Sequence, residues 1–216
     1  MAYNYTKLNP ENAFIWRIVH RDNLPWILSN GLYCRNSPEF DPNFVSIGHA
    51  DLINRRASRR VEVAPGGTLS DYVPFYFTPF SPMMYNIFTG RSGVNKREKE
   101  DICILVSSLH KVNKLGVPFV FSDRHAYTSL AKFSNNLSDL HRIDWPLLRA
   151  RNFQRNPDDP EQIERYQAEA LIYQHLPVTG LLGVICYKDT VKAWLDKHVT
   201  KSGIALDVRV LPKWYF

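Results

Sequence analysis

The sequence predicts a single α+β domain over residues 1–216, and three features of the chain point to it. Hydrophobic residues make up 44% and aromatics 13% of the 216, enough for a sizeable core. Short runs of aromatic and β-branched residues recur between clusters of Gly, Pro, Asn and Asp. The helical segments among them are short, and the loops are long and irregular. This composition excludes an intrinsically disordered chain, which would be poor in apolar residues. No apolar run approaches the roughly 20 residues of a bilayer-spanning helix; the densest stretch covers residues 181–187. Residues 1–7 lack the apolar stretch of a secretory signal, so a soluble protein is expected.

Residues 13–19, aromatic and β-branched, read as a buried strand. A short helix follows, with Asp22 or Asn23 as its cap, Pro25 in its first turn and Gly31 ending it in the left-handed region. Residues 32–35 suggest a second strand and 38–44 are turn-rich. A helix over 49–60 leads to the turn Pro65-Gly66-Gly67. Residues 72–77 read as a strand in which Pro74 lacks a ladder donor, which favours an edge or a bulge. Pro79 and Pro82 frame a turn into a helix over 83–88, and 89–100 form a polar surface loop. Strands over 102–106 and 117–121 flank a short helix, and helical pieces fill 124–149. Asn156-Pro157-Asp158-Asp159-Pro160 breaks regular structure. Strand character returns over 168–173 and 181–187. A helix capped by Asp189 or Thr190 runs to about Val199, and 204–210 alternate as a last strand.

The three cysteines, Cys34, Cys103 and Cys186, are scattered, so no disulfide framework is implied and a reducing cytoplasm is expected. Cys103 and Cys186 read as small fillers of buried strands. The seven histidines show no HExxH spacing and no CxxC pair accompanies them, so no metal is expected. The chain has no Walker A loop, no GxGxxG after a strand and no GxSxG elbow; Gly90-Arg91-Ser92-Gly93 falls short of the last and reads as a turn. Asp158, Asp159 and Glu161 offer carboxylates for a glycosidase pair, but beside two prolines they read as a solvated loop.

Net charge is +6, a weak pointer to a polyanionic partner. Two features are sharper. Arg55-Arg56-Ala57-Ser58-Arg59-Arg60 packs four guanidiniums into one segment, which suits phosphate recognition and equally suits a solvated helix face. Glu169 stands in the run Tyr166-Gln167-Ala168-Glu169-Ala170-Leu171-Ile172, where an acid is costly unless it faces a cleft or a partner. The plainer reading of Glu169 is an outward residue in ordinary strand alternation.

At these residues the sequence resembles the DarT family of DNA ADP-ribosyltransferase toxins. The resemblance rests on Ile15-Trp16-Arg17-Ile18-Val19-His20-Arg21-Asp22-Asn23-Leu24, Gly66-Gly67-Thr68-Leu69-Ser70-Asp71-Tyr72-Val73-Pro74-Phe75-Tyr76-Phe77-Thr78-Pro79, Val117-Pro118-Phe119-Val120-Phe121-Ser122-Asp123-Arg124-His125 and Arg165-Tyr166-Gln167-Ala168-Glu169. These blocks run in order along nearly the whole chain. The resemblance implies an ADP-ribosyltransferase-like fold: a split, mainly antiparallel mixed β core with surrounding short helices and long loops. It implies NAD as co-substrate and a base in single-stranded DNA, most often thymine, as acceptor. Glu169 and Arg56 fall on the catalytic positions, and Arg17, Ile18, Val19, Asn23, Trp26 and Tyr76, with Arg56, on the NAD side. Where some members carry histidine, this chain has Arg17. Residues 149–167 occupy the place of a substrate-recognition loop. Arg91, Lys96, Arg97, His125, Arg149, Arg151 and Arg155 are the candidate DNA contacts. The expected partners are single-stranded DNA and a macrodomain antitoxin of the DarG type, with no membrane. A non-catalytic single-strand binding module, an NAD glycohydrolase and a protein ADP-ribosyltransferase are the rival readings.

Overall fold

Among the described residues eight strands form one sheet that is nearly two. The computed structural model describes residues 7–216, so all but Lys7 of the N-terminal segment considered above lies outside the described residues. In chain order the strands are β1 (Phe14–His20), β2 (Leu32–Tyr33), β3 (Tyr72–Tyr76), β4 (Ile102–Ser108), β5 (Phe119–Ser122), β6 (Phe133–Ser134), β7 (Glu169–Tyr173), β8 (His175–Leu176), β9 (Gly183–Cys186) and β10 (Asp207–Val210). The helices are α1 (Leu24–Asn30), α2 (Ala50–Arg56), α3 (Pro82–Thr89), α4 (Leu109–Lys114), α5 (Trp145–Ala150), α6 (Gln162–Arg165) and α7 (Asp189–Ser202). The main sheet runs β10-β9-β4-β1-β3-β7-β5-β6, and β2 and β8 make a small second sheet. Every pair is antiparallel except β9–β10, which α7 connects as a crossover.

The split falls between β1 and β3, which share a single residue pair, Trp16 with Tyr76. Elsewhere β1 pairs along its whole length with β4, and β3 along its whole length with β7. Pro74 thus sits in the middle of the sheet. Its carbonyl points to the β1 side, where it accepts from Arg17 Nη1 at 2.8 Å. In a strand the N–H of a residue points the same way as its carbonyl, so the missing donor of Pro74 faces the split and no ladder bond is lost. The edge that the proline demanded is an internal one.

Ile15, Phe75, Phe77, Ile102, Leu105, Phe121, Leu148 and Ala170 are buried in one continuous core, and Cys34, Cys103 and Cys186 are free and buried. Several elements differ from expectation. Neither Asp22 nor Asn23 caps α1 with its side chain; a 3-10 turn precedes it, capped by His20. Gly31 does end α1, but at φ +83°, ψ −161° rather than in the left-handed helical region. A side chain there would meet the Leu176 carbonyl at 2.5 Å, because the chain passes hard against β8 on its way into β2. The second strand shortens to Leu32–Tyr33 and leaves the main sheet. α2 stops at Arg56 because the next residues turn to pair across the Gly66-Gly67 bend: Leu69 N–H donates to Arg59 O and Val61 N–H to Gly67 O. β6 is a strand where helical pieces were expected, and α6 lies where no element was expected. Among the described residues no helix is long and apolar enough to cross a membrane.

Candidate active site

A cleft opens where β1 and β3 part. It holds about 1060 Å³, including the solvent at its mouth, and Arg17, Tyr76, Arg56, His125 and Glu169 converge in it.

Glu169 opens β7, opposite Tyr76 on β3 and Ser122 on β5, and is 1% exposed. Its carboxylate is held by two donors: the Ala126 N–H at 3.0 Å, and Arg56 Nη1 at 3.0 Å from one oxygen and 3.3 Å from the other. These contacts supply what an ionised acid needs to remain buried. His125 Nδ1 lies 3.9 Å from the same carboxylate, but it accepts the Tyr127 N–H at 3.2 Å and so carries no proton toward Glu169.

The arginine cluster divides. Arg55 and Arg60 are exposed, whereas Arg56 turns inward to Glu169. Arg59 donates to Thr128 O at 3.3 Å and lies over the Phe133 ring. The solvated-face reading thus fits Arg55 and Arg60, while Arg56 is turned into the cleft. Across the cleft, burial and then the charge of Arg56 push the Arg17 guanidinium down to about 10, leaving it cationic at neutral pH. Burial, reinforced by the Glu169 charge, pushes the Tyr76 hydroxyl well above its ordinary value, and it lies 4.0 Å from Met83 Sδ. Among the described residues Arg17 Nε, Arg56 Nη2 and His49 Nδ1 are buried without a hydrogen-bond partner, and all three residues line the cleft. Unspent donors on two cations, walled by Tyr33, Phe40, Phe44 and Ile47, suit a ligand with anionic phosphates and flat rings.

The remaining expected residues on the NAD side occupy different depths. Ile18 lines the cleft, while Val19 is packed in the core. Asn23 is buried, and its carboxamide is spent on Val45, donating to the carbonyl at 3.0 Å and accepting the N–H at 2.8 Å. It thereby pins the strap 36–48, which supplies Phe40, Phe44, Ile47 and Gly48 to the wall. Trp26 stands one ring behind, edge-on to Tyr33, which stacks on His175. The sequence reading missed this strap; its only signal was Phe40 and Phe44 inside a turn-rich segment.

A second hollow shares His49, Leu52, Tyr76, Met83 and His125 with the first and adds Arg55, Asn86 and Gln167. Of the expected DNA contacts, Arg91, Lys96 and Arg155 are exposed and Arg97 is half-buried. Arg149 donates to Leu8 O at 2.9 Å and Arg151 lies 3.5 Å over the Phe80 ring, so both engage the protein itself. Among the described residues no group of three or more His, Cys, Asp or Glu is gathered for a metal.

The family model described as DarT, ssDNA thymidine ADP-ribosyltransferase, matches residues 16–216. The chain belongs to the DarT family. It is 52% identical to a DNA ADP-ribosyl transferase of Escherichia coli O127:H6 over the full length of both chains. Among solved structures it is similar to Thermus sp. 2.9 DarT in complex with ADP-ribosylated ssDNA, with a TM-score of 0.88, 35% identity, and 96% and 98% of the two chains covered. It is similar also to the NAD+ complex of the same protein, with a TM-score of 0.84, 35% identity, and 96% and 99% covered. The split, mixed and mostly antiparallel sheet expected for this family is the one observed. As a DarT-family member the chain is an NAD-dependent DNA ADP-ribosyltransferase.

Proposed function

We propose that residues 1–216 act as one domain in which Glu169 and Arg56 carry ADP-ribose transfer from NAD to a thymine of single-stranded DNA. The observation that carries this reading is the Arg56–Glu169 contact at 3.0 Å in the lining of the first cleft, which shares Tyr76 and His125 with the second hollow. NAD would lie in the cleft, with its phosphates on Arg17 and Arg56 and its flat rings against Tyr33, Tyr76 and the strap. The acceptor base would enter from the second hollow.

Glu169 accepts the ribose 2′-hydroxyl and faces the positive charge that grows at the anomeric carbon as the bond to nicotinamide breaks. Nicotinamide departs with that bond's electron pair. The thymine imide nitrogen forms the new bond to the same carbon, and its proton passes through the Glu169 carboxylate to solvent. Arg56 stays protonated, because a guanidinium surrenders a proton only with great difficulty; it orients Glu169 and polarises the base. Ile18 and the backbone of β1 border the nicotinamide end, and Val19, Asn23 and Trp26 support that end from behind. Arg91, Lys96, Arg97 and Arg155 follow the strand's phosphates, with Arg149 and Arg151 fixing the 149–167 loop and His125 at the acceptor base. In a cell this chain would act as a cytoplasmic toxin countered by a DarG-type antitoxin.

The test is incubation with NAD and a panel of single-stranded oligonucleotides, read by mass spectrometry. The expected result is one added ADP-ribose on a thymine within a short motif. Glu169→Ala should lower transfer about 10²–10⁴-fold, and Arg56→Lys should also fail because an ammonium cannot reproduce a planar fork. Near-wild-type labelling by Glu169→Ala removes the assignment; nicotinamide release without labelled DNA points to a glycohydrolase.

A further inference from the structure

Glu169 is oriented by a main-chain donor, Ala126 N–H, and the turn 123–128 that carries this donor has little regular structure of its own. On one side Ser122 fixes it: the Ser122 hydroxyl donates to Arg124 O at 2.6 Å and its oxygen accepts the Glu169 N–H at 3.4 Å. On the other side the turn is tied to α6 and the residue before it. His125 N–H donates to Glu164 O at 2.9 Å, and Arg124 Nη1 donates to Glu161 Oε2 at 2.7 Å. Glu161 lies in the segment that runs directly into Glu169. Arg124 therefore closes a ring: carboxylate, Ala126 N–H, Arg124, Glu161, and back along the chain to the carboxylate.

We propose that Arg124 is a positioning residue for the transfer, its ion pair with Glu161 holding the Ala126 N–H in line with the Glu169 carboxylate. The proposal rests on the role given to Glu169 above. The pair's exposure sets what it contributes. The Arg124 side chain is 13% exposed but that of Glu161 is 49% exposed, and a pair open to water on one side adds little to global stability. What it fixes is geometry, and a displacement of about 1 Å at a reacting group can cost on the order of 100-fold in rate. The ring also links the 149–167 loop to the catalytic acid, so a DNA strand that settles this loop would settle the carboxylate as well.

The test compares wild type, Arg124→Gln, Arg124→Glu, and Arg124→Glu combined with Glu161→Arg, measuring kcat, the KM for NAD and Tm. For Arg124→Gln we expect kcat to fall about 10- to 100-fold, with Tm and the KM for NAD little changed. Arg124→Glu should be worse, and the reversed pair should recover most of kcat. Wild-type kcat in Arg124→Gln, alongside an inactive Glu169→Ala, overturns the proposal. So does a loss of activity that follows a loss of Tm and is not recovered by the reversed pair. An active Glu169→Ala instead removes the premise, and the two failures are distinguishable.

Discussion

Replacing Asn23 by alanine should loosen one wall of the cleft without touching the reacting groups. The carboxamide makes two hydrogen bonds to Val45, at 3.0 and 2.8 Å, and is buried. Each such bond is worth about 0.5–1.5 kcal/mol net, so their joint loss is about 2 kcal/mol. Val45 is half-buried, so water can reach the freed N–H and carbonyl and no larger penalty for unpaired groups is added. The loss is confined to the strap 36–48, which can open while the sheet stays folded. NAD then has to reorder the strap on binding. At 1.4 kcal/mol per factor of ten, about 2 kcal/mol weakens NAD about 30-fold. Calorimetric titration of NAD, with hydrogen exchange over residues 36–48, reads both parts. Weaker NAD binding with faster exchange in the strap is the expected result. Weaker binding with unchanged exchange would mean that Asn23 touches the ligand itself; faster exchange with unchanged affinity would mean that the strap is no wall.

Two further outcomes follow from geometry already described. Asp71 accepts from the Thr68 N–H, the Thr68 hydroxyl and Asn36. Burial would raise its carboxyl, but these donors outweigh it and hold it below the usual 3.8. A carboxyl depressed in the folded state stabilises above its unfolded value and loses that contribution as pH falls through the folded one. Asp71→Asn should therefore lower Tm at neutral pH, with the gap to wild type closing well below pH 3.8; a gap that persists unchanged into acid refutes the charge account. The Tyr76 hydroxyl makes a long contact to sulfur, so Tyr76→Phe should change stability by less than about 1 kcal/mol, the worth of an ordinary hydrogen bond, in urea unfolding. The same variant should keep oligonucleotide labelling near wild type if the ring alone forms the wall, and a collapse of labelling at unchanged stability would assign the hydroxyl to a substrate.

Much of the fold was legible because burial leaves a pattern in sequence. β1, β4 and β7 announce themselves as aromatic and β-branched runs, and Pro82 marks the start of α3. Two-residue β6 and single-turn α6 carry no period long enough to read. The length of α2 was misjudged because its end is set by pairing around Gly66-Gly67. Within the site, Glu169 was conspicuous as an acid among apolar neighbours. That Arg56, rather than Arg55, Arg59 or Arg60, turns inward depends on how α2 lies over the cleft, which composition does not encode. The Ala126 N–H was invisible, since every residue but proline has one. Asn23 fell on the NAD side by resemblance, while its bonds to Val45 depend on a fold-back that no local pattern announces.

The proline at the centre of the sheet acts as a doorstop. Two strands with matching amides would zip together, and a ligand would then have to prise them apart before it could enter. Here β3 offers no donor at position 74, and the Arg17 guanidinium occupies the carbonyl that a returning amide would need. The gap cannot seal itself, so a ligand need not first separate two zipped strands.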